Sequence, residues 1–181
     1  MVGDLLEVSR LRMGTVSLVP ELNTAEDLVG AALRQVEGIR NGRVIETRID
    51  FDAPAMAGRF DFVHTLRILG NLLDNALRHT PDAERVEVWV DRDEQWLSIT
   101  VADRGSGIAL AEGARIFDVF YRPTDATPDA GHAGLGLAIA RTLAEMQGGS
   151  VTYGPREGGG SLFVLRLPAA DAADIARLDV V

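Results

Sequence analysis

The stretch Asn71-Leu72-Leu73-Asp74-Asn75-Ala76-Leu77-Arg78-His79 carries side chains suited to holding charge. Asn71 and Asn75 sit one helical turn apart, and Arg78 and His79 follow one turn later. At about 100° per residue with Asn71 at zero, Asn75 falls near ~40°, Arg78 near ~−20° and His79 near ~80°. Phe62, Leu66, Leu69, Leu73 and Ala76 gather between about 140° and 220°, which makes one face core and the other polar. An amide oxygen can ligate a divalent cation and a guanidinium can meet phosphate oxygens, so the polar stripe could hold both. The same pattern describes an ordinary amphipathic helix with a solvated face, and this helix alone leaves both readings open.

Two further clusters bear on the choice. Asp103-Arg104-Gly105-Ser106-Gly107 follows an alternating apolar run, which puts a carboxylate at the end of a strand. Such a carboxylate can accept a hydrogen bond from an exocyclic amine while a flat ring lies against the glycines. The plain alternative is a turn with Asp at its start. Gly131-His132-Ala133-Gly134-Leu135-Gly136 opens a later helix, where backbone N–H groups and the helix N-terminus suit phosphate oxygens. Here the plain alternative is a flexible loop with a glycine-rich helix start. No Lys follows these glycines, so they are not a P-loop, and Ile139 stands where a dinucleotide fingerprint needs its third Gly or Ala.

The elements that must position these clusters can be read from periodicity. Leu5 to Met13 forms a short helix stopped at Gly14, and Thr15 to Val19 alternates as a strand. Asn23-Thr24-Ala25-Glu26 caps a helix running to about Ile39, and Arg43 to Phe51 is a strand. Pro54 to Gly58 is a break before the helix that starts near Asp61 and stops at Thr80-Pro81. Arg85 to Val90 and Gln95 to Ala102 make a hairpin that delivers the chain to Asp103. Residues 111–122 are a helical patch, residues 123–133 a long mobile loop, and Leu135 to Met146 a helix stopped by Gly148-Gly149. Ser150 to Gly154 and Ser161 to Leu167 are strands, and 169–181 is a tail with a short helix. Helices among mostly antiparallel, hairpin-connected strands predict a two-layer α/β sandwich, with about three helices on one face of a mixed sheet.

Composition narrows the chemistry. The 181 residues, 46% hydrophobic, suffice for one domain with a real core. A net charge of −9, with all 18 basic residues Arg and none clustered, argues against nucleic-acid and anionic-membrane surfaces. The lack of Cys excludes disulfides and thiolate chemistry, and three scattered His show no metal-ligand spacing. No run of about 18 apolar residues or signal-peptide pattern occurs, so the chain is expected to be soluble.

Taken in order, Asn71-Leu-Leu-Asp-Asn75-Ala, Asp103-x-Gly-x-Gly107, Phe117-x-x-Phe120-Tyr-Arg122, Gly134-Leu-Gly-Leu-Ala-Ile139, Gly160-Ser161-x-Phe163 and Leu167-Pro168 resemble the ATP-binding catalytic domain of sensor histidine kinases. The resemblance covers about residues 15–168 and implies the Bergerat ATP fold of type II topoisomerases, Hsp90 chaperones and MutL proteins. It implies ATP and Mg²⁺ as cofactors, with Asn75 as metal ligand supported by Asn71. It also implies that Arg78 meets phosphate oxygens and that His79 lies by the adenine or ribose. Asp103 would bind the adenine amine directly and through a water shared with Ser161. Gly105, Gly107, Gly134, Leu135 and Gly136 would line the nucleotide. Residues 117–134 would be an ATP lid, with Arg122 stabilising charge on the transferring phosphoryl group.

The sequence also departs from the pattern. His132 stands where many members have the first glycine of that helix-start motif, and Arg78 replaces a frequent Lys. Hydrolysing relatives resembling gyrase carry a Glu as general base at the position of Asn71, so the amide here points to phosphoryl donation rather than hydrolysis. His64-Thr65-Leu66-Arg67 resembles a phosphoacceptor motif superficially, but Ile68-Leu69 replaces Thr-Pro, and a helix-surface histidine is the better reading.

Residues 1–14 resemble the tail of a dimerisation helix, which implies an acceptor histidine domain outside this chain and a response regulator as partners. Such a fragment is not expected to autophosphorylate alone. It is expected to be cytoplasmic, from a membrane-anchored parent, with no direct membrane or nucleic-acid contact of its own. The N-terminal tail and the Gly154 to Gly159 turn resemble Kdp-type sensor kinases. An anti-sigma-factor-type serine kinase and a nucleotide-gated interaction module or pseudokinase are the alternatives.

Overall fold

The structure, a computed structural model, describes residues 6, 8–11, 13–49, 55–109, 111–121 and 134–178. Its strands are β1 (Glu21–Thr24), β2 (Ile45–Ile49), β3 (Ala57–Phe60), β4 (Val86–Arg92), β5 (Trp96–Ala102), β6 (Ser150–Pro155) and β7 (Ser161–Pro168). Its helices are α1 (Ala25–Val36), α2 (Phe62–His79), α3 (Gly136–Met146) and α4 (Ala172–Leu178), with a 3₁₀ turn at Arg115–Phe117. Five strands form a mixed sheet in the order β2-β4-β5-β7-β6, parallel only between β2 and β4. A second, two-stranded sheet pairs β1 with β3. This is the expected α/β architecture.

Alternation assigns the sheet its faces. Val86, Val88 and Val90 of β4, Leu97, Ile99 and Val101 of β5, and Phe163, Leu165 and Leu167 of β7 all enter one buried core. α2 packs between α1 and α3 over that face, contributing Ile68, Leu69, Leu72, Leu73, Ala76 and Leu77. The buried stripe of α2 is therefore rotated from the one expected, toward Ile68 and Leu72, because two helices flank it. Phe62 and Leu66 are only half-buried, and the polar stripe is itself half-covered.

Both long N-terminal helices are capped, the first within the stretch read as a cap and the second at Asp61, where the sequence starts the helix. The Thr24 side chain accepts the Asp27 N–H, and the Asp61 carboxylate accepts the His64 N–H at 2.9 Å. Asp61 also accepts the Val19 N–H at 2.9 Å, while its own N–H donates to Gln147 Oε1 at 2.7 Å. It thus joins the incoming chain, the start of α2 and the end of α3. Burial pushes the Asp61 carboxyl up, but the N–H groups of His64 and Val19 and the His64 side chain outweigh this and hold it below the ordinary range.

Several expectations need correction. Thr15 to Val19 is not a strand, since it pairs with no neighbour and ends at Pro20, which has no N–H to give a ladder. The strand begins at Glu21 instead, and its partner β3 lies within and beyond the segment read as a break. Gly58 made that segment look like a turn, but the residue is a point of close approach, where a Cβ would sit 2.7 Å from the Pro168 carbonyl oxygen. α1 ends at Val36 rather than near Ile39, and among the described residues of the 111–122 patch the helical part is the 3₁₀ turn alone. Residues 123–133, expected to be a mobile loop, lie outside the described residues, as do Arg122 and His132.

The flanks are packed onto the domain. Val8 and Leu11 are buried in the core, and α4 is held by Arg59, which reaches both carboxylate oxygens of Asp174 at 2.9 and 2.6 Å.

Candidate functional site

Three clusters separated in sequence meet at one end of the sheet. The first is the half-buried polar face of α2, with Asn71, Asp74, Asn75 and Arg78. Asn71 donates through Nδ2 to the Gly136 carbonyl oxygen at 3.0 Å, tying this face to the first turn of α3. Gly136 lies against the Asn71 side chain, where a Cβ would be 3.6 Å from Asn71 Cγ. Arg78 donates to both oxygens of Asp74 at 3.0 and 2.8 Å, an i,i+4 pair on a partly open surface. Asn75 lies between Asp74 and Arg78 along the same face, half-buried. His79 ends the helix, exposed.

The second cluster is the end of β5. Asp103 is 1% exposed, and its Oδ1 accepts the N–H groups of Gly105 at 2.8 Å and Ser161 at 3.1 Å. Burial pushes the Asp103 carboxyl up from its ordinary value, and the Gly105 N–H, the Ser161 hydroxyl and the Ser161 N–H only partly offset this. With one oxygen fixed by backbone donors, the other can accept from an amine. Gly105 joins this cluster to the first, because a Cβ there would lie 2.6 Å from the His79 carbonyl oxygen. Gly107, at φ +72°, turns the chain beside Gly160. The Tyr153 hydroxyl then pins Ile108, accepting its N–H at 3.2 Å and donating to its carbonyl at 2.8 Å.

The third cluster is the start of α3. Gly134, at φ +67°, accepts the Phe120 N–H through its carbonyl at 3.3 Å, and a Cβ at Gly134 would lie 2.8 Å from the Tyr121 carbonyl oxygen. Phe120, itself at φ +66° and 58% exposed, is therefore held against Gly134. Leu135 precedes α3 and is buried.

The structure thus brings Asn71, Asn75, Arg78, His79, Asp103, Gly105, Gly107, Gly134, Leu135, Gly136 and Ser161 to one region. Arg122 lies outside the described residues. Sequence reasoning did not single out Arg156 and Glu87 as part of this region. Arg156 donates to the Asp103 carbonyl oxygen at 3.2 Å and pairs with Glu87. Neither forms a pattern along the chain, since the contacts join β4, β5 and the β6–β7 turn.

Chemically, the region offers an amine acceptor at Asp103, flat glycine surfaces, a cation at Arg78 and an amide at Asn75. Among the described residues no group of three or more His, Cys, Asp or Glu could hold a metal ion. A hard divalent cation here would therefore take few protein ligands and fill its shell from phosphates and water, the usual habit of Mg²⁺. The Asn75 amide fits that role.

Comparison with known proteins shows the family of the chain. The chain is 32% identical over 169 residues to the sensor histidine kinase RppB of Synechocystis, covering 93% of this chain and 37% of RppB. It is 34% identical over 178 residues to the sensor protein KdpD of Mycobacterium tuberculosis, covering 94% of this chain and 20% of KdpD. The chain thus spans well under half the length of these curated relatives, and their similar identities do not single out the Kdp type. Full-length ShkA, solved in complex with AMPPNP, superposes with a TM-score of 0.79 at 29% identity, covering 94% of this chain and 35% of that one. Residues 61–171, more than half of the chain and containing all three clusters, match the histidine kinase-, DNA gyrase B- and HSP90-like ATPase family, to which this protein belongs.

Proposed function

We propose that this chain is the ATP-binding catalytic domain of a sensor histidine kinase. It binds Mg-ATP and donates the γ-phosphoryl group to a histidine on a dimerisation domain outside the chain, from which a response-regulator aspartate receives it. The observation that supports this reading is the Asn71 amide, which donates to Gly136 O and stands where the resemblance puts the general-base Glu of hydrolysing relatives. A site without that base holds the nucleotide until another nucleophile arrives.

In this reading Asp103 accepts the adenine amine, with Ser161 beside it, and the ring lies along Gly105 and Gly107. His79 borders the base or ribose. Arg78 turns from Asp74 to phosphate oxygens, and N–H groups at Gly134, Leu135 and Gly136 face the same anion. Asn75 would hold Mg²⁺, and the chemistry that ion would supply is neutralisation of phosphate charge. Arg122, in the segment between Phe120 and Gly134, stabilises the transferring phosphoryl group. Positioning and charge neutralisation supply the catalysis. ATP as donor places the chain on the cytoplasmic side of its parent protein, and among the described residues no helix is long and apolar enough to cross a membrane.

The test is to mix the chain with γ-labelled ATP, Mg²⁺ and a histidine-containing dimerisation domain from a related kinase. The expected product is an acid-labile, base-stable phosphoprotein that fails to form with Asn75→Ala. Acid-stable label would indicate serine transfer, and no label at all would contradict the kinase reading.

A further inference from the structure

Behind the base end of the site lies a buried polar chain on the face of the sheet turned away from the helices. Along β4, Val86, Val88 and Val90 enter the core, so Glu87 and Trp89 alternate to the opposite face. Glu87 is nevertheless almost fully buried, its side chain 4% exposed, and Arg156 covers it with a side chain 8% exposed. Glu87 Oε2 accepts from Arg156 Nη2, and Oε1 accepts from Arg48 Nη2 at 3.2 Å. The Arg156 guanidinium also lies 5.8 Å from the centre of the Trp89 ring.

The other end of that guanidinium points at the site. Arg156 Nη1 donates to the Asp103 carbonyl oxygen at 3.2 Å. The Arg156 backbone N–H donates to Gly160 O at 3.2 Å, closing the turn that presents Ser161, whose N–H binds the Asp103 carboxylate. Gly160 packs so closely that a Cβ there would lie 2.1 Å from the Asp103 carbonyl oxygen. A planar fork is suited to this task, because it can bind a carboxylate with one nitrogen and a carbonyl with another at fixed geometry.

We propose that Arg156, oriented by Glu87, is a positioning residue for base selection. It fixes the Asp103 backbone against the β6–β7 turn, so that the Asp103 carboxylate and Ser161 face the nucleobase in one geometry. This rests on the reading of Asp103 as the amine acceptor. It makes selectivity at the purine 6-position depend on a pair that does not touch the base.

The experiment measures binding of ATP, of inosine triphosphate, which carries a 6-oxo group in place of the amine, and of inorganic tripolyphosphate to the whole chain. Arg156→Gln, Arg156→Lys, Glu87→Gln and Asp103→Asn are compared with the parent. The parent is expected to prefer ATP over the 6-oxo analogue by roughly 10-fold or more, as loss of a charge-assisted hydrogen bond implies. Arg156→Gln is expected to cut that preference at least ~3-fold with tripolyphosphate binding unmoved, because only the base end is loosened. Glu87→Gln, which keeps the shape, and Arg156→Lys, which cannot fork, should shift it in the same direction if Arg156→Gln does not fold. Unchanged preference in the folded variants, or equal loss for all three ligands, would overturn the positioning role. If the parent itself shows no preference, or Asp103→Asn leaves it intact, the reading of Asp103 fails first, which separates the two failures.

Discussion

The two ends of the candidate site, the base end and the phosphate end of the proposed function, are built from different materials. At the base end Asp103 is enclosed by backbone, with two N–H groups on one carboxylate oxygen and main chain packed against Gly105 and Gly160 too closely for any side chain. At the phosphate end close backbone packing is confined to Gly134 against Phe120 and Tyr121, and the contacts made by α2 are between side chains or from side chain to backbone. Arg78 is paired with Asp74, and Asn71 donates to Gly136 O, where a Cβ on Gly136 would meet Asn71 only at ordinary van der Waals distance. Backbone enclosure cannot adjust without moving strands, whereas a partly exposed ion pair exchanges partners at modest cost. The base end is therefore preformed, and the phosphate end can rearrange around an incoming anion.

The largest expected effect separates the ends by adding one methyl group. Gly160→Ala places a Cβ on the Asp103 carbonyl in a backbone conformation, φ +101°, that L residues avoid. It should cost on the order of 3 kcal/mol or more in a denaturant titration. Gly136→Ala meets nothing nearer than 3.6 Å at the start of a helix and should be neutral, or stabilising by about 0.4–1 kcal/mol. Equal losses in the two variants would erase the contrast between the ends.

Asp103→Asn comes next, and it separates binding from folding. The amide oxygen can keep both backbone donors, while its NH₂ opposes the nucleotide amine, so ATP affinity measured by calorimetry should fall roughly 10- to 100-fold with the melting temperature retained. The pH dependence follows from the raised Asp103 value. The protonated form favours the folded chain, so this contribution to stability is lost as pH rises from the ordinary value near ~3.9 through the raised one. ATP binding runs the opposite way over that window, since the ionised form accepts the amine. Asp103→Asn should flatten both profiles.

Much of this was legible along the chain, for reasons that particular residues make plain. Asn71, Asn75 and Arg78 share a helix, where a 3.6-residue period places side chains reliably, and Asp103 follows a clean alternation in β5. The β1–β3 sheet was not legible, because four-residue strands containing Gly58 carry too little pattern and form only by pairing with each other. The Arg156–Glu87 pair was hidden for a related reason. It joins positions 69 residues apart, and nothing local in the β6–β7 turn announces a partner on β4. The rotation of the α2 core face was likewise set by its neighbours α1 and α3 rather than by its own period.

Smaller effects belong to the phosphate end. Asn71→Ala removes one half-buried hydrogen bond and should cost about 0.5–1.5 kcal/mol in thermal or denaturant unfolding. Asp74→Asn breaks the charge pair with Arg78 on a partly open surface, and stability should change by less than about 0.5 kcal/mol. Tripolyphosphate binding should strengthen in that variant, because the guanidinium no longer gives up the Asp74 carboxylate to meet the anion. A loss of several kcal/mol for Asp74→Asn would mean that the phosphate end is as rigid as the base end.

The most direct test follows the fate of the γ-phosphate of ATP with Mg²⁺ present, with and without a histidine-bearing dimerisation domain. A site that donates phosphoryl groups, with Asn71 in place of a general base, should release almost no inorganic phosphate alone and should form acid-labile phosphoprotein once the histidine domain is supplied. Release of inorganic phosphate at the same rate in both mixtures, with no labelled protein, would contradict the account.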